Sequence, residues 1–576
     1  MELSRENLKK EVGQVRSSFK EEELTKAEKS LFWEKKGNVA LIVFDSVGEK
    51  ANKLSTPNML RLCEVLMEIE TSREIGSAVI ISRKPTIFIA GADIAEIQTL
   101  NQLGEKAGET LAKLQGVFTF LEGLPIPTIA AIHGAALGGG FELALSCDYR
   151  MVTDGPETKI GLPEVQLGII PGWGGTQRLP RLIGLEKSLD LILSGRQING
   201  KAAKKMGIAD KLTPQELLEE KALAWAAELA KTRTKRSYEE KDLKRRLIDT
   251  VPGAKFLVFE QAKKTVLEKT KGHYPAPLKA LSVIRRTYGG PLAEGLKVEA
   301  QAFTELVGTP ECKNLIRIFY LTEKVKKDKG AAIEVRPREI TKAAVVGAGV
   351  MGGGIAQLFA AKKVRIRMKD INWDAITKGY QAAYRIFKKQ LDRRKMKQNE
   401  VDNVMSLIEG TTSYSGFKHL DLVVEAVVED LEIKKKVFQE LDVRTSSDTI
   451  LATNTSSLSV ATLAQACKDP RRVVGMHFFN PVDKMPLVEI IRGPQTSDEA
   501  VAALYQLCKK LGKTPIVVKD SPGFVVNRIL GPYLIEAYHL ITDGVGVVEM
   551  DEIMEKFGMP MGPCTLIDAV GIDIIH

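Results

Sequence analysis

Residues 340–370 read ITKAAVVGAGVMGGGIAQLFAAKKVRIRMKD, and the fold of the C-terminal half is decided there. An apolar, β-branched run stops at Gly347, and Gly347, Gly349 and Gly352 then form a Gly-x-Gly-x-x-Gly turn. A helix-forming run, GGGIAQLFAAKK, leaves the turn, and a second strand-like run, VRIRMKD, ends on Asp370, 18 residues beyond Gly352. A lone Gly-x-Gly-x-x-Gly is weak evidence, because glycines also mark ordinary turns. Between a strand and a helix the pattern has a mechanism. The glycines let the backbone turn tightly and approach a pyrophosphate, the helix N-terminus faces the phosphates, and the acid accepts from ribose hydroxyls. The stretch therefore predicts a Rossmann unit. Asp370 favours NAD over NADP, because its charge repels a 2′-phosphate. Arg367 and Lys369 beside it weaken that preference.

Downstream the α/β pattern continues through LDLVVEAVV (420–428), TILAT (449–453) and RVVGM (472–476), and from Ser521 helices dominate. The run GMHFFNPVDKMPLVEII, starting at Gly475, puts His477 at a strand end and Glu489 in the next strand-like segment. Taking a hydride from a C–OH carbon needs a base for the hydroxyl proton, and an imidazole oriented by a buried carboxylate suits that near neutral pH.

Upstream, the runs VALIVF (from 39), SAVIIS (from 77) and TIAAIH (from 128) alternate with helical stretches such as Leu103–Leu121, so a second α/β domain is expected. Within it, ALGGGFELALSCD (136–148) reads as a Gly-rich turn opening a helix, and GLPEVQLGIIPGWGGTQRLP (161–180) as a loop entering another. These carry Glu142 and Glu164. Adding water to an activated double bond needs a base for the water, an acid for the carbon next to the carbonyl, and N–H donors for the enolate oxygen. Two glutamates suffice for the proton transfers. Between about 231 and 335 the strand signal disappears; the stretch is helical and charged, broken at YPAP (274–277) and GGP (289–291), and reads as a connector.

At 576 residues several cores are expected. The excess of 83 Lys+Arg over 73 Asp+Glu is spread along the chain, apart from runs at 231–246 and 324–329, with no nucleic-acid-binding module. Nucleic acid is therefore not expected as a partner, whereas phosphate-bearing small molecules are compatible. Six well-separated cysteines form no CxxC pair, so neither a disulfide framework nor a metal site is expected. The N-terminal residues lack an apolar signal core, and the most apolar stretch, Leu124–Ser146, is broken by two prolines, His133, four glycines and Glu142. A soluble protein is expected.

Several motifs carry a resemblance. NTSSL (454–458), HFFNP (477–481), LVE (487–489) and DSPGFVVNR (520–528) resemble the L-3-hydroxyacyl-CoA dehydrogenases, from about 340 to the end. That resemblance implies His477 as the base and Glu489 as its partner, with Ser456, Asn480 and Asn527 lining the substrate and nicotinamide site. It also implies Met351, Glu429 and Lys434 as further NAD contacts. FIAGADIAEI (88–97), taken with Glu142 and Glu164, is similar to the enoyl-CoA hydratase (crotonase) family over about 30–230. By that resemblance the N–H groups of Ala92 and Gly139 form an oxyanion hole, Glu142 and Glu164 are the acid–base pair, and Δ3–Δ2 enoyl isomerisation is a side activity open to the same carboxylates.

The expected architecture is a charged extension (1–30), a crotonase-like spiral α/β domain (31–230), a helical linker (231–337), a Rossmann NAD-binding domain (338–520) and the start of an all-helical dehydrogenase domain (521–576). The order resembles the multifunctional enzymes of fatty-acid β-oxidation, including the α-subunits of fatty-acid oxidation complexes. It implies acyl-CoA substrates, NAD as cofactor, a separate thiolase chain as partner, loose peripheral membrane association, and a cytoplasmic location in a bacterial source. Two alternatives stay open: an enzyme using the same steps in aromatic or amino-acid catabolism, and a non-catalytic acyl-CoA- or NAD-binding subunit. Against the family pattern, MGPCTLIDAVGIDIIH at the end is expected to stop roughly 100 to 150 residues short of a full helical domain, leaving apolar helical surface exposed.

Overall fold

Apolar runs without polar alternation become central strands covered on both faces. The computed structural model describes residues 16, 19–100, 106–232, 234–235, 248, 250–331 and 335–570. It divides into two units, Met1–Phe319 and Tyr320–His576.

In the first unit, β1 (Leu31–Lys36), β2 (Val39–Phe44), β3 (Ser77–Ser82), β5 (Thr128–Ile132), β7 (Tyr149–Thr153) and β9 (Lys211–Thr213) form a six-stranded sheet in that order. A three-stranded sheet holds β4 (Ile87–Ile89), β6 (Ala135–Leu137) and β8 (Lys159–Gly161). From β3 to β9 the chain visits the large and small sheets alternately, so it advances as a spiral. All neighbouring pairs are parallel except β1 with β2. Every residue of β2, β3 and β5 is buried, and each fully covered Val, Ile or Leu contributes about 1.5–3 kcal/mol.

The contacts divide the chain elsewhere than the sequence reading does. The stretch 231–337 reads as a connector, yet its helices Ala254–Thr270, Pro275–Thr287 and Leu292–Val307 belong to the first unit. Phe259, Ala280, Ile284, Phe303 and Cys312 share one apolar core with Ile42, Ile80 and Phe141. The cause is amphipathicity: a helix with an apolar stripe buries it on the nearest complementary surface. The two expected breaks become helix boundaries, with Pro275 opening Pro275–Thr287 and Pro291 capping Leu292–Val307. Residues 1–15 of the charged extension, most of the basic run at 231–246, and 571–576 lie outside the described residues. Of the extension, Glu21–Ser30 is a helix with Ala27 and Ser30 buried.

The second unit is an eight-stranded sheet. Its strands are β10 (Lys342–Val346), β11 (Arg365–Lys369), β12 (Ile408–Thr411), β13 (Leu422–Glu425), β14 (Ile450–Thr453), β15 (Val473–Phe478), β16 (Leu487–Arg492) and β17 (Thr514–Lys519). Their order, β12-β11-β10-β13-β14-β15-β16-β17, begins with the six-strand pattern of a doubly wound nucleotide-binding fold. Only β15 with β16 is antiparallel. Helices Val526–Thr542, Val547–Phe557 and Pro563–Val570 follow. They expose apolar side chains, among them Ile529, Ile535, Tyr538, Val548 and Phe557.

Candidate active sites

The turn after β6 places the first site. Gly138 has a φ of 54° and precedes the helix Gly139–Ser146, so Glu142 lies in that helix's first turn. No side chain fits at Gly139 or Gly140: a Cβ would lie 2.3 Å from the Trp173 ring and from the Ile89 carbonyl oxygen, respectively. Ala92 and Gly139 line one cavity of about 330 Å³, together with Glu142, Glu164, Trp173 and Phe303. Glu164 sits on the short 3-10 turn Pro163–Leu167, not on a helix proper.

Both carboxylates are buried, and their surroundings differ. Glu142 Oε1 accepts from the N–H of Trp173 (2.8 Å) and of Gly175 (2.7 Å). Glu164 Oε2 is buried without a hydrogen-bond partner. Burial pushes Glu142 well above the ordinary carboxylate range, assisted by the charges of Glu164 and Glu299. Burial likewise pushes Glu164 up to about 8, with Glu299 adding to it.

Glu299, which the sequence reading does not single out, is a further buried carboxylate close behind this pair. It comes from the helix Leu292–Val307 and is fully buried. Its Oε1 accepts from Gly174 N–H (2.6 Å) and its Oε2 from Thr176 N–H (2.9 Å). Burial raises it to about 7.

In the second unit the Gly loop leaves β10. Gly347 has a φ of 103°, and a Cβ there would lie 2.4 Å from Ala426 O. At Gly352 a Cβ would lie 1.8 Å from Gly347 O, whereas at Gly349 it would meet nothing within 4 Å. The loop is thus closed against the sheet and open at the N-terminus of helix Val350–Ala361, the cradle that a dinucleotide pyrophosphate requires. Asp370 ends the neighbouring strand and accepts from Ala348 N–H (2.6 Å), which ties it to the loop. Arg367 pairs with Glu409 and donates to Ser415 O, and the Lys369 ammonium lies 4.4 Å from the Tyr414 ring centre. Both cations thus have partners of their own. Met351 packs partly buried on the sheet core.

Lys434 and Glu429 lie 3.2 Å apart, but the closer partner of Lys434 is Glu425 (2.7 Å), at the end of β13. Glu429 Oε1 also accepts from Ser456 N–H (2.9 Å), and Asn527 Nδ2 donates to Ser456 O (3.2 Å). Burial would raise Glu429, but Lys434 and the donors of Thr455 and Ser456 outweigh it and hold its carboxylate below the ordinary range.

His477 and Glu489 face each other directly in the β15–β16 register. Nδ1 of His477 lies 2.8 Å from Glu489 Oε2, and Glu489 Oε1 accepts from the N–H of Val525 and of Val526, each at 3.0 Å. Burial raises Glu489, but the His477 hydrogen bond and the two N–H donors prevail and leave it lowered. An ionised Glu489 only accepts, so Nδ1 carries the proton and Nε2 presents its lone pair. Asn480, exposed, follows in the same turn. A buried Glu–His pair in register at the end of a Rossmann sheet, together with a buried glutamate pair on one cavity in the other unit of the chain, narrows the families sharply.

Over 537 residues the chain is 44% identical to the fatty acid oxidation complex subunit alpha of Shewanella amazonensis, covering 93% of this chain and 75% of the relative. The subunit of the same name from Vibrio campbellii is 42% identical over 539 residues, with the same coverage. The chain belongs to this α-subunit family.

Residues 34–273 match the enoyl-CoA hydratase/isomerase family. Residues 342–521 match the NAD-binding domain of 3-hydroxyacyl-CoA dehydrogenase, and 523–576 match its C-terminal domain. Among solved structures, the (S)-3-hydroxybutyryl-CoA dehydrogenase of Ralstonia eutropha is 41% identical over 41% of this chain and 84% of its own, with a TM-score of 0.40. The chain thus joins a hydratase domain to a NAD-dependent dehydrogenase domain. Among the described residues no helix is long and apolar enough to cross a membrane, and no cluster of His, Cys, Asp and Glu could hold a metal ion.

The sequence reading missed Glu299 and Glu425. Glu299 carries no local signal, since a Glu in a charged helix is by default a surface residue. Glu425 had one: it ends an apolar strand nine residues before Lys434.

Proposed function

We propose that the chain catalyses two consecutive steps on one acyl-CoA: hydration of a trans-2-enoyl-CoA to L-3-hydroxyacyl-CoA in the first unit, then NAD-dependent oxidation to 3-ketoacyl-CoA in the second. The single observation that carries this reading is the coexistence, in a fatty acid oxidation α-subunit, of a buried Glu142–Glu164 pair on one cavity and a buried His477–Glu489 pair.

In hydration, one glutamate takes the proton of the attacking water and the other delivers a proton to the α-carbon. Ala92 and Gly139 N–H groups would bind the thioester oxygen as it gains charge. The raised Glu142 and Glu164 retain a proton between them near neutral pH, which the α-carbon needs. The same shared proton supports Δ3–Δ2 isomerisation as a side activity.

In oxidation, His477 Nε2 takes the hydroxyl proton while Glu489 holds the ring and stabilises the imidazolium. Gly347, Gly349 and Gly352 would hold the pyrophosphate, Asp370 the ribose, and Met351, Glu429, Lys434 and Asn480 the nicotinamide end; Ser456 and Asn527 would face the substrate. When bound, NAD accepts the hydride from C3. A thiolase chain is the partner that this reading adds, since a thiolytic enzyme consumes a 3-ketoacyl-CoA, and a bacterial source would place both in the cytoplasm.

Giving 2-enoyl-CoA and NAD, and following 3-hydroxyacyl-CoA and NADH separately, tests the pair of activities. The expected outcome is hydration without NAD and NADH only in its presence; NADH formed directly from added 3-hydroxyacyl-CoA, with no hydration of enoyl-CoA, would refute the first half.

A further inference from the structure

Four successive backbone N–H groups, from Trp173 to Thr176, are shared between two carboxylates in strict alternation. Trp173 and Gly175 donate to Glu142, while Gly174 and Thr176 donate to Glu299. The two glutamates lie 157 positions apart and on different helices. The turn of backbone that opens the helix Gly175–Ile183 is thus held on both sides, so moving it for one carboxylate moves the donors of the other.

Glycines make the close approach of the second helix feasible. A Cβ at Gly295 would lie 2.0 Å from Gln177 Oε1, and one at Gly172 would lie 2.8 Å from the Phe303 ring. Gln115 braces the contact by donating to Gly172 O (2.9 Å), Leu296 O (3.2 Å) and Glu299 Oε1 (3.3 Å). A surface glutamate would have none of this.

We infer that Glu299 is a positioning residue of the hydration site: it holds the segment Trp173–Thr176, which opens the helix Gly175–Ile183, so that the Glu142 carboxylate is fixed toward Glu164, and thereby makes the helix Leu292–Val307 part of the hydratase machinery. The inference rests on the Glu142–Glu164 reading above. A second consequence is electrostatic. Facing Glu299 are Glu142, Glu164 and the Arg178 guanidinium, which is itself bonded to Glu122 (3.0 Å), with Arg181 beyond. Once ionised, Glu299 disfavours ionisation of both catalytic glutamates.

The test compares Glu299→Gln and Glu299→Asp with the unsubstituted chain in 2-enoyl-CoA hydration across pH, with Glu164→Gln, the thermal transition and NAD binding as controls. The amide of Gln turns one acceptor into a donor facing N–H groups, and misplacement of this kind costs about 10- to 100-fold in rate. Glu299→Gln is therefore expected to lower kcat by about that factor, with KM little changed and the basic limb of the pH profile moved to lower pH. Glu299→Asp keeps the charge and should restore the limb's position, even if the rate stays low. Unchanged kcat and pH profile in a folded Glu299→Gln would overturn the inference. So would a lowered thermal transition with kcat reduced only in proportion to the folded fraction and the limb unmoved, because that is a structural role. If Glu164→Gln itself hydrates normally, the fault lies in the Glu142–Glu164 reading, and the Glu299 inference falls with it.

Discussion

The two units bury carboxylates to opposite effect. In the hydratase unit Glu142, Glu164 and Glu299 converge without a cation directly bonded to any of them, and burial raises all three. In the dehydrogenase unit Glu489 is buried and Glu429 is more exposed, and His477, Lys434 and converging N–H groups hold both below the ordinary range. The difference matches the chemistry. A carboxylate that must carry a proton at neutral pH needs desolvation without compensation, whereas one that must only orient an imidazole or a lysine needs to stay charged.

The largest expected effect comes from removing the proton carrier itself. Glu164→Gln should reduce hydration by about 10²- to 10⁴-fold, the usual worth of a general acid or base. NAD affinity, measured by titration, should stay unchanged, because the Gly loop and Asp370 lie in the other unit. Loss of both would break the comparison. Glu489→Gln keeps the shape but removes the charge that orders His477, and should lower NAD-dependent oxidation of 3-hydroxyacyl-CoA by roughly 10²-fold or more while leaving hydration intact. Rates equal to the unsubstituted chain would remove Glu489 from the site.

A smaller effect sharpens the cofactor side. Arg367 and Lys369 have partners of their own, so on the proposed placement of Asp370 at the ribose, Asp370→Ser should weaken NAD binding and narrow the NAD-to-NADP ratio by about 10-fold, read by titration with both nucleotides. An unchanged ratio would place Asp370 away from the ribose.

The smallest effect is on stability, and the two units should respond with opposite signs. Groups raised in the folded state bind more protons folded than unfolded. Glu164 and Glu299 therefore make the first unit less stable as pH rises from their ordinary 4.5 towards about 8 and about 7. Glu429 and Glu489 are lowered, so their contribution is complete above 4.5 and is lost as pH falls through their folded values. Thermal unfolding across pH, with Glu164→Gln and Glu489→Gln to identify each transition, checks this. Parallel shifts of both transitions would refute the contrast.

Much of this was readable along the chain. The Gly347–Gly352 turn, Asp370 eighteen residues on, the continuous apolar strands and the proline breaks at 275 and 291 are local signals, because turn geometry, strand burial and helix capping are decided within a few residues. Glu142, Glu164, His477 and Glu489 were picked out because the motifs that carry them resemble those of known families, and the fold brings each pair onto one site. What the tertiary structure alone decided is non-local. The helices after residue 250 joined the first unit's core instead of bridging two domains, because their apolar stripes found cover there. Glu299 became a buried carboxylate behind the hydratase cavity, and its N–H donors Gly174 and Thr176 lie 125 and 123 positions away. No periodicity or spacing encodes such a meeting, because its burial, its donors and its raised proton affinity all come from residues brought together only when the chain has folded.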